Sequence, residues 1–403
     1  MNWSIFQHDS YLKEASCFAF IAMTFLAGGN VAAQVGQTPT LLYVLDTGEG
    51  WFEHAQILQL DTKSGRIRKA FAVGDNPDMA LSPDESRLYV TSVTRDPDDG
   101  DLVESWLSVY DTPSGRLLDR VSNPDAMGHT LPVYGSEMAV SPSGRWLYIT
   151  KFHYNPERSY YFYLAAFDTV NREFLPHPLT LPCQDAAVMP AREDLNVVLV
   201  CRNGPVFDVN LGDSATPMKR VALQPPVITG PIAKTSPCDM GASIVPPRLQ
   251  EAWGAVFLLP GADKVALVSD SEGSIFSFDR TAGTSAKVGQ DPRLRAEGIN
   301  RGLVSQNEDA VYFQTGPNRR FSNDQSFSGS TQVVIADPST LSFKFALKTT
   351  KPFFTMALSK DGYTLFTVNP DTATIGVIDI STITEVREIH AVGKRPISAI
   401  AAP

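Results

Sequence analysis

The chain is poor in the residues that do chemistry. Of its six histidines, the five beyond residue 33 (His54, His129, His153, His177 and His390) include no two spaced as metal ligands on one strand or helix. There is no G-x-S-x-G elbow and no glycine-rich phosphate loop, which sets aside the α/β-hydrolase and P-loop chemistries. Charge is sparse: 19% of residues are charged, and the balance is acidic at −10. No basic run or arginine-rich stripe occurs, which argues against nucleic acid as a partner. The acidic DPDDGD stretch (Asp96, Asp98, Asp99, Asp101) lacks the spacing of a calcium loop and reads as solvated. Long apolar runs are missing apart from residues 17–27, which are too few for a comfortable transmembrane span.

That one run reads as the core of a secretory signal covering residues 1–33. Val31 and Ala33 place small residues three and one positions before a cut ahead of Gln34. No lipobox precedes Cys17. The expected mature protein is residues 34–403, one domain, exported to the periplasm, with no nucleic-acid or membrane partner after cleavage.

What the sequence does contain is a repeat. MALSPDESRLYVTS (Met79–Ser92), MAVSPSGRWLYITK (Met138–Lys151) and MALSKDGYTLFTVN (Met356–Asn369) are copies of one phrase. After each copy comes an apolar strand ending in Asp, a turn and another strand, as in LSVYDTPSGRLLDRV (Leu107–Val121). Short runs alternating apolar with polar residues, bounded by Ser-Pro, Asp-Gly and Ser-Gly, are strand and hairpin chemistry. Asp61, Asp111, Asp168, Asp279, Asp337 and Asp379 recur at about the spacing of propeller blades, with Asp208 in a degenerate unit between. The expected fold is all-β, a seven-bladed β-propeller closed by one C-terminal strand (within Arg395–Pro403) joining three N-terminal strands that begin at LLYVLD (Leu41–Asp46). The alternative is an open pair of β-sandwich sheets. A chain of this size buries roughly three quarters of its unfolded surface, so neither metal nor disulfide is required for folding.

Cys183, Cys201 and Cys238 remain after the signal. Cys183 opens the run QDAAVMP and Cys201 closes LNVVLVC, and a hairpin turning near Arg192–Glu193 sets the two opposite each other. The expectation is a cross-strand disulfide; the alternative is two buried free thiols. Cys238 is left over in a Pro-rich stretch.

In a propeller, connections between second and third strands and between blades share one face. The turns between first and second and between third and fourth strands share the other. The second group is terse here (SPDESR, SPSGR, SKDG, TKSG, TPSG), whereas the first is long: Thr47–His54, Thr94–Ser105, Phe152–Tyr160, Thr315–Ser330 and Gln224–Ala252. Irregular loops on a rigid scaffold are where binding resides. Trp51, Phe52 and His54 form an aromatic cluster that either packs at a blade edge or offers a ligand or partner surface. Arg319 and Arg320 either grip an anion or a partner's carboxylate or are solvated. The Tyr160–Tyr163 run packs between blades with alternate members. No catalytic grouping stands out.

YVLDTGEGWFEHAQILQLDTKSGRI (Tyr43–Ile67) resembles the first blade of the heavy subunit of periplasmic amine dehydrogenases, the methylamine and aromatic-amine enzymes. The similarity continues through LPCQDAAVMPAREDLNVVLVCRNG, whose cysteine pair sits where that heavy chain has a disulfide, and through ADPSTLSFKFAL. It is diffuse and spans nearly all of Leu41–Pro403. The short segment ahead of the first strand is closer to the aromatic-amine type. The family's W-x-P-G-G phrase is matched only by Gly302 in GINRGLV. The resemblance implies a propeller that holds a small light subunit bearing tryptophan tryptophylquinone, with no cofactor on this chain. The assembled enzyme would deaminate a primary amine oxidatively and pass electrons to a blue copper protein. Trp51, or Phe52 with a one-residue shift, would line the substrate channel.

Two other functions compete. A stand-alone periplasmic propeller would bind a ligand or protein without redox chemistry, as in repeat proteins with a YVTN-like phrase, here YVTS and YITK. A propeller hydrolase such as a lactonase would need acidic, Asn or His side chains converging on the central tunnel, and no such set is evident.

Overall fold

A computed structural model describes residues 41–47, 55–95, 102–122, 134–154, 160–183, 186–201, 205–221, 253–259, 264–269, 274–290, 299–305, 310–315, 330–359 and 361–402. These residues form strands and turns only, arranged as seven antiparallel sheets. Strands β1 (Leu41–Asp46), β2 (Gln56–Asp61) and β3 (Arg66–Ala72) belong to blade VII. Blade I is β4 (Asp75–Leu81), β5 (Arg87–Arg95), β6 (Leu102–Asp111) and β7 (Arg116–Ser122). Blade II is β8 (Tyr134–Val140), β9 (Trp146–Tyr154) and β10 (Tyr160–Asp168), with β11 (Glu173–Phe174) and β12 (Leu179–Thr180) both paired to β10. Blade III is β13 (Ala186–Pro190), β14 (Asn196–Cys201), β15 (Val206–Asn210) and β16 (Met218–Arg220). Blade IV is β17 (Trp253–Leu259), β18 (Lys264–Ser269), β19 (Ser274–Asp279) and β20 (Thr284–Gln290). Blade V is β21 (Ile299–Val304), β22 (Val311–Thr315), β23 (Ser330–Ala336) and β24 (Phe343–Phe353). Blade VI is β25 (Thr355–Leu358), β26 (Thr364–Asn369), β27 (Thr374–Asp379) and β28 (Thr384–Ile389). The last strand, β29 (Pro396–Ala402), pairs with β1 from Leu41↔Ala402 to Asp46↔Pro396, so one sheet has the order β29-β1-β2-β3.

Each blade grades from apolar to polar outward. The inner β1, β26 and β27 are buried almost throughout, whereas the outermost β3 and β7 alternate exposed with half-buried residues. The apolar core is correspondingly divided into seven seams between neighbouring blades. Tyr43, Met79 and Ile400 join VII to I; Ala80, Leu107 and Ile149 join I to II; Tyr148, Leu164 and Val188 join II to III. Val198, Val265 and Phe276 join III to IV; Ala266, Ile275 and Phe313 join IV to V; Tyr312, Val333 and Met356 join V to VI; Val44, Leu58 and Phe366 join VI to VII. A fully buried side chain of this kind contributes about 1.5–3 kcal/mol.

The repeated phrase acquires a physical meaning. Its serine hydroxyl (Ser82, Ser141, Ser359) accepts the N–H five residues on, at 2.9, 3.0 and 2.9 Å, and Ser305 does the same at 2.9 Å. The recurrent aspartate caps the turn between third and fourth strands by accepting backbone N–H groups. Examples are Lys63 and Ser64 on Asp61, Ser339 and Thr340 on Asp337, and Ser381 and Thr382 on Asp379. The residue four beyond each of the six aspartates is left-handed: Gly65, Gly115 and Gly283, but also Arg172, Leu341 and Ile383. Asp208 departs from the pattern. It lies inside β15 and binds Arg280 of the next blade at 2.6 Å, while Asn210 and Asp213 cap the turn instead.

Cys183 and Cys201 are disulfide-bonded, with Cα atoms 5.9 Å apart. They are not, however, a facing pair on one hairpin. The β13–β14 register puts Ala186 opposite Cys201, and Cys183 precedes β13, so the bond ties the connection from blade II to the end of β14. The hairpin turn is one and a half positions later than symmetry about Arg192 requires.

Candidate functional site

The capped serine and aspartate turns form one face. On the other, β5 and β6 stay paired as far as Arg95↔Leu102, and β9 and β10 as far as Tyr154↔Tyr160. The ladders therefore run further into two of the sequence-defined loops than expected, leaving 96–101 and 155–159 as the connections. The other connections on this face include 47–55, 123–133, 222–252 and 316–329.

Trp51, Phe52, His54, Arg319 and Arg320 lie outside the described residues, as do Asp96, Asp98, Asp99, Asp101 and Cys238. The structure does describe the frame that carries the first three. Asp46 and Gln56, which bracket that loop, are joined by a 2.8 Å hydrogen bond from Gln56 Nε2 to Asp46 Oδ2. Asp46 is fully buried, and its carboxylate also accepts the N–H of Lys394 at 3.1 Å and of Arg395 at 2.6 Å. Thr47 donates its N–H to Arg395 O at 3.1 Å. A burial cost of several kcal/mol for a carboxylate is offset by such charge-assisted bonds. The clamp fixes both ends of the aromatic loop against the connection entering β29.

The neighbouring blades repeat the device. Asn369 donates Nδ2 to Pro352 O at 2.7 Å and accepts the N–H groups of Asp371 and Thr372. Gln314, fully buried, donates Nε2 to Phe354 O at 2.9 Å. Lys351 holds Glu388 through both carboxylate oxygens at 2.6 and 2.7 Å. Burial raises the Asp371 carboxyl above its ordinary range against the pull of Arg395, and burial lowers the Arg395 guanidinium against the pull of Asp371. This end of blades V to VII is thus a stiff polar platform whose donors and acceptors largely satisfy one another. It positions loops. Among the described residues no group of three or more His, Cys, Asp or Glu is placed to hold a metal ion, and no helix is long and apolar enough to cross a membrane.

Sequence reasoning missed Asp46, Gln314, Asn369 and Arg395. Asp46 carried a usable signal, an aspartate ending an apolar strand, but on the opposite face from the recurrent ones. Tyr163 is buried, as its aromatic run suggested, while His177 and His390 lie at the surface.

No family model matches the chain, and no curated protein is similar to it. Solved structures are similar in fold. A functionally unknown protein from Desulfotomaculum acetoxidans aligns at a TM-score of 0.56 and 13% identity, over 89% of this chain and 95% of that one. Dihydro-heme d1 dehydrogenase NirN, in complex with DHE, aligns at 0.50 and 15%, over 92% of this chain and 68% of its own. A chain of a mitotic checkpoint complex aligns at 0.51 and 10%, over 94% and 90%. At these identities the likeness shows the propeller fold. The chain is a seven-bladed β-propeller scaffold.

Proposed function

We propose that this propeller is the scaffold subunit of an amine-dehydrogenase-type assembly, receiving a light subunit on its loop-bearing face. The observation that carries the reading is the division into two faces: capped, terse turns on one, and, on the other, strand ends that bracket the long connections and are braced by a polar network. The resemblance of Tyr43–Ile67 to the family's first blade supports it, as does the bonded Cys183–Cys201 pair. On this reading the light subunit bears the tryptophan tryptophylquinone and a blue copper protein takes the electrons. Trp51 or Phe52 lines the amine channel, and His54, Arg319 and Arg320 meet the partner. The location is the periplasm.

The test is purification from the native periplasm followed by an absorption spectrum. A small co-purifying subunit with a quinone band that a primary amine bleaches supports the reading. A colourless lone monomer overturns it and leaves the stand-alone binding propeller, which the YVTN-like phrases Tyr89–Ser92 and Tyr148–Lys151 favour.

A further inference from the structure

No basic run is visible in the sequence, yet the fold assembles one. The outermost strands of the blades (β3, β7, β11, β12, β16, β20, β24 and β28) carry twelve Lys and Arg against four Asp and Glu, in a chain whose net charge is −10. The cations are distributed from residue 66 to residue 387 and meet only around the rim. Charged side chains on sheet edges deter edge-to-edge pairing, which accounts for the belt as a whole.

Edge protection does not account for one arc of it. On blades VI, VII and I, large aliphatic side chains stand exposed among the cations: Val386 at 56%, Ile67 at 41% and Leu117 at 45%. Ile67 and Leu117 occupy equivalent positions, six residues beyond Asp61 and Asp111. The arc is continuous. Arg387 donates to Lys63 O at 2.8 Å between VI and VII, and Lys69 donates to Ser114 O at 2.8 Å between VII and I. Acids in the arc are engaged. Asp61 is held by Arg68 and two N–H groups, Asp111 by Arg87 and Ser114, Asp119 by Arg172, and Glu385 by Thr350. Exposed Arg66 and Arg116 flank Ile67 and Leu117 directly.

We propose that this outer edge of blades VI, VII and I docks on an anionic lipid bilayer. Cations meet the headgroup phosphates and the aliphatic side chains enter the boundary beneath. Aliphatic residues separated blade by blade with cations between them offer no contiguous apolar centre of the kind a protein interface has. A headgroup layer accepts them singly. The contact is peripheral, so it requires no spanning segment. It departs from the expectation of no membrane partner, which rested on the lack of basic runs and apolar spans. It is independent of the scaffold reading, because it uses the capped-turn side of the rim.

The experiment is co-sedimentation of the full chain with vesicles of phosphatidylcholine alone and of an equimolar mixture with phosphatidylglycerol. Binding is expected to the anionic vesicles only, weakening as salt rises. Arg66→Glu with Arg116→Glu is expected to weaken partitioning about tenfold or more. Ile67→Ser with Leu117→Ser weakens the part that survives high salt. Lys219→Glu with Arg220→Glu, equally exposed on blade III, leaves binding unchanged. All six positions are at the surface, so thermal midpoints confirm folding. No binding to anionic vesicles overturns the proposal, as does binding indifferent to the Arg66 and Arg116 changes. So does retention of soluble polyglutamate in place of vesicles.

Discussion

The N–H of Arg395 donates to the buried carboxylate of Asp46 at 2.6 Å, across 349 positions of sequence. Gly393 makes the approach feasible: its φ is +72°, and a Cβ there would stand 2.5 Å from the Asp46 carboxyl carbon. Asp46→Ala strands the N–H groups of Lys394 and Arg395 and the Gln56 amide, and is expected to cost about 2–4 kcal/mol. Gly393→Ala is expected to lose a similar amount through clash and left-handed strain, about 2–3 kcal/mol. Urea unfolding of the two variants and their double checks this. Losses well below the sum are expected for the double, because both changes break one contact.

The left-handed position after each capping aspartate predicts opposite outcomes at two sites. Arg172 is exposed at φ 61°, whereas Leu341 is buried in the seam between blades IV and V at φ 54°. Arg172→Gly relieves strain and gives up only a surface ion pair with Asp119, so a gain of up to about 1 kcal/mol is expected. Leu341→Gly removes a core side chain and is expected to lose about 2–4 kcal/mol despite the same relief. Thermal midpoints measured side by side decide it.

Acid should loosen the capped turns. The N–H of Ser64, followed by the Arg68 guanidinium, lowers the Asp61 carboxyl to about 2, and the Ser339 hydroxyl and Thr340 N–H depress Asp337 strongly. A folded-state value below the unfolded one, about 3.9, gives stability that is present above that pH and is lost as pH falls towards the folded value. The thermal midpoint should therefore drop between about pH 4 and pH 2. Asp61→Asn keeps the cap, since Asn369 receives two N–H groups in the same manner, but removes the titration. Its midpoint should fall less steeply over that interval than the parent's.

Reducing the Cys183–Cys201 bond, which closes a loop of sequence separation 18, is expected to cost about 3 kcal/mol in the chain-entropy account. Thermal midpoints with and without reductant, with Cys183→Ala/Cys201→Ala as the reference, test this. A reductant effect that persists in the double variant would point to some other target.

The blades were legible because local chemistry repeats. A serine that binds the N–H five residues on and an aspartate that caps a four-residue turn must recur wherever the turn recurs, so Asp61 through Asp379 marked the third strands. Asp208 misled mildly, because its carboxylate is spent on Arg280 rather than on its own turn. The disulfide partners were legible but their register was not. Symmetry about Arg192 ignores where the turn falls, and Ala186 turned out to face Cys201. The clamp at Asp46 joins residues with no sequence proximity, and the rim's charge arises from single cations on different blades. Neither kind of relationship leaves a local pattern to read.

The pairing of β1 with β29 has a consequence for vectorial synthesis. Among the described residues the first strands made, β1 to β3, belong to a sheet whose innermost member is the seven-residue segment Pro396–Ala402. Every other blade is complete once its own stretch of chain has emerged from the ribosome. Blade VII instead waits, as three strands with an unpaired inner edge, until β29 follows the strands of the other six blades. The first of the seven sheets to be begun is thus the last to be completed, and Asp46 meets Arg395 only after the six blades between them have been made.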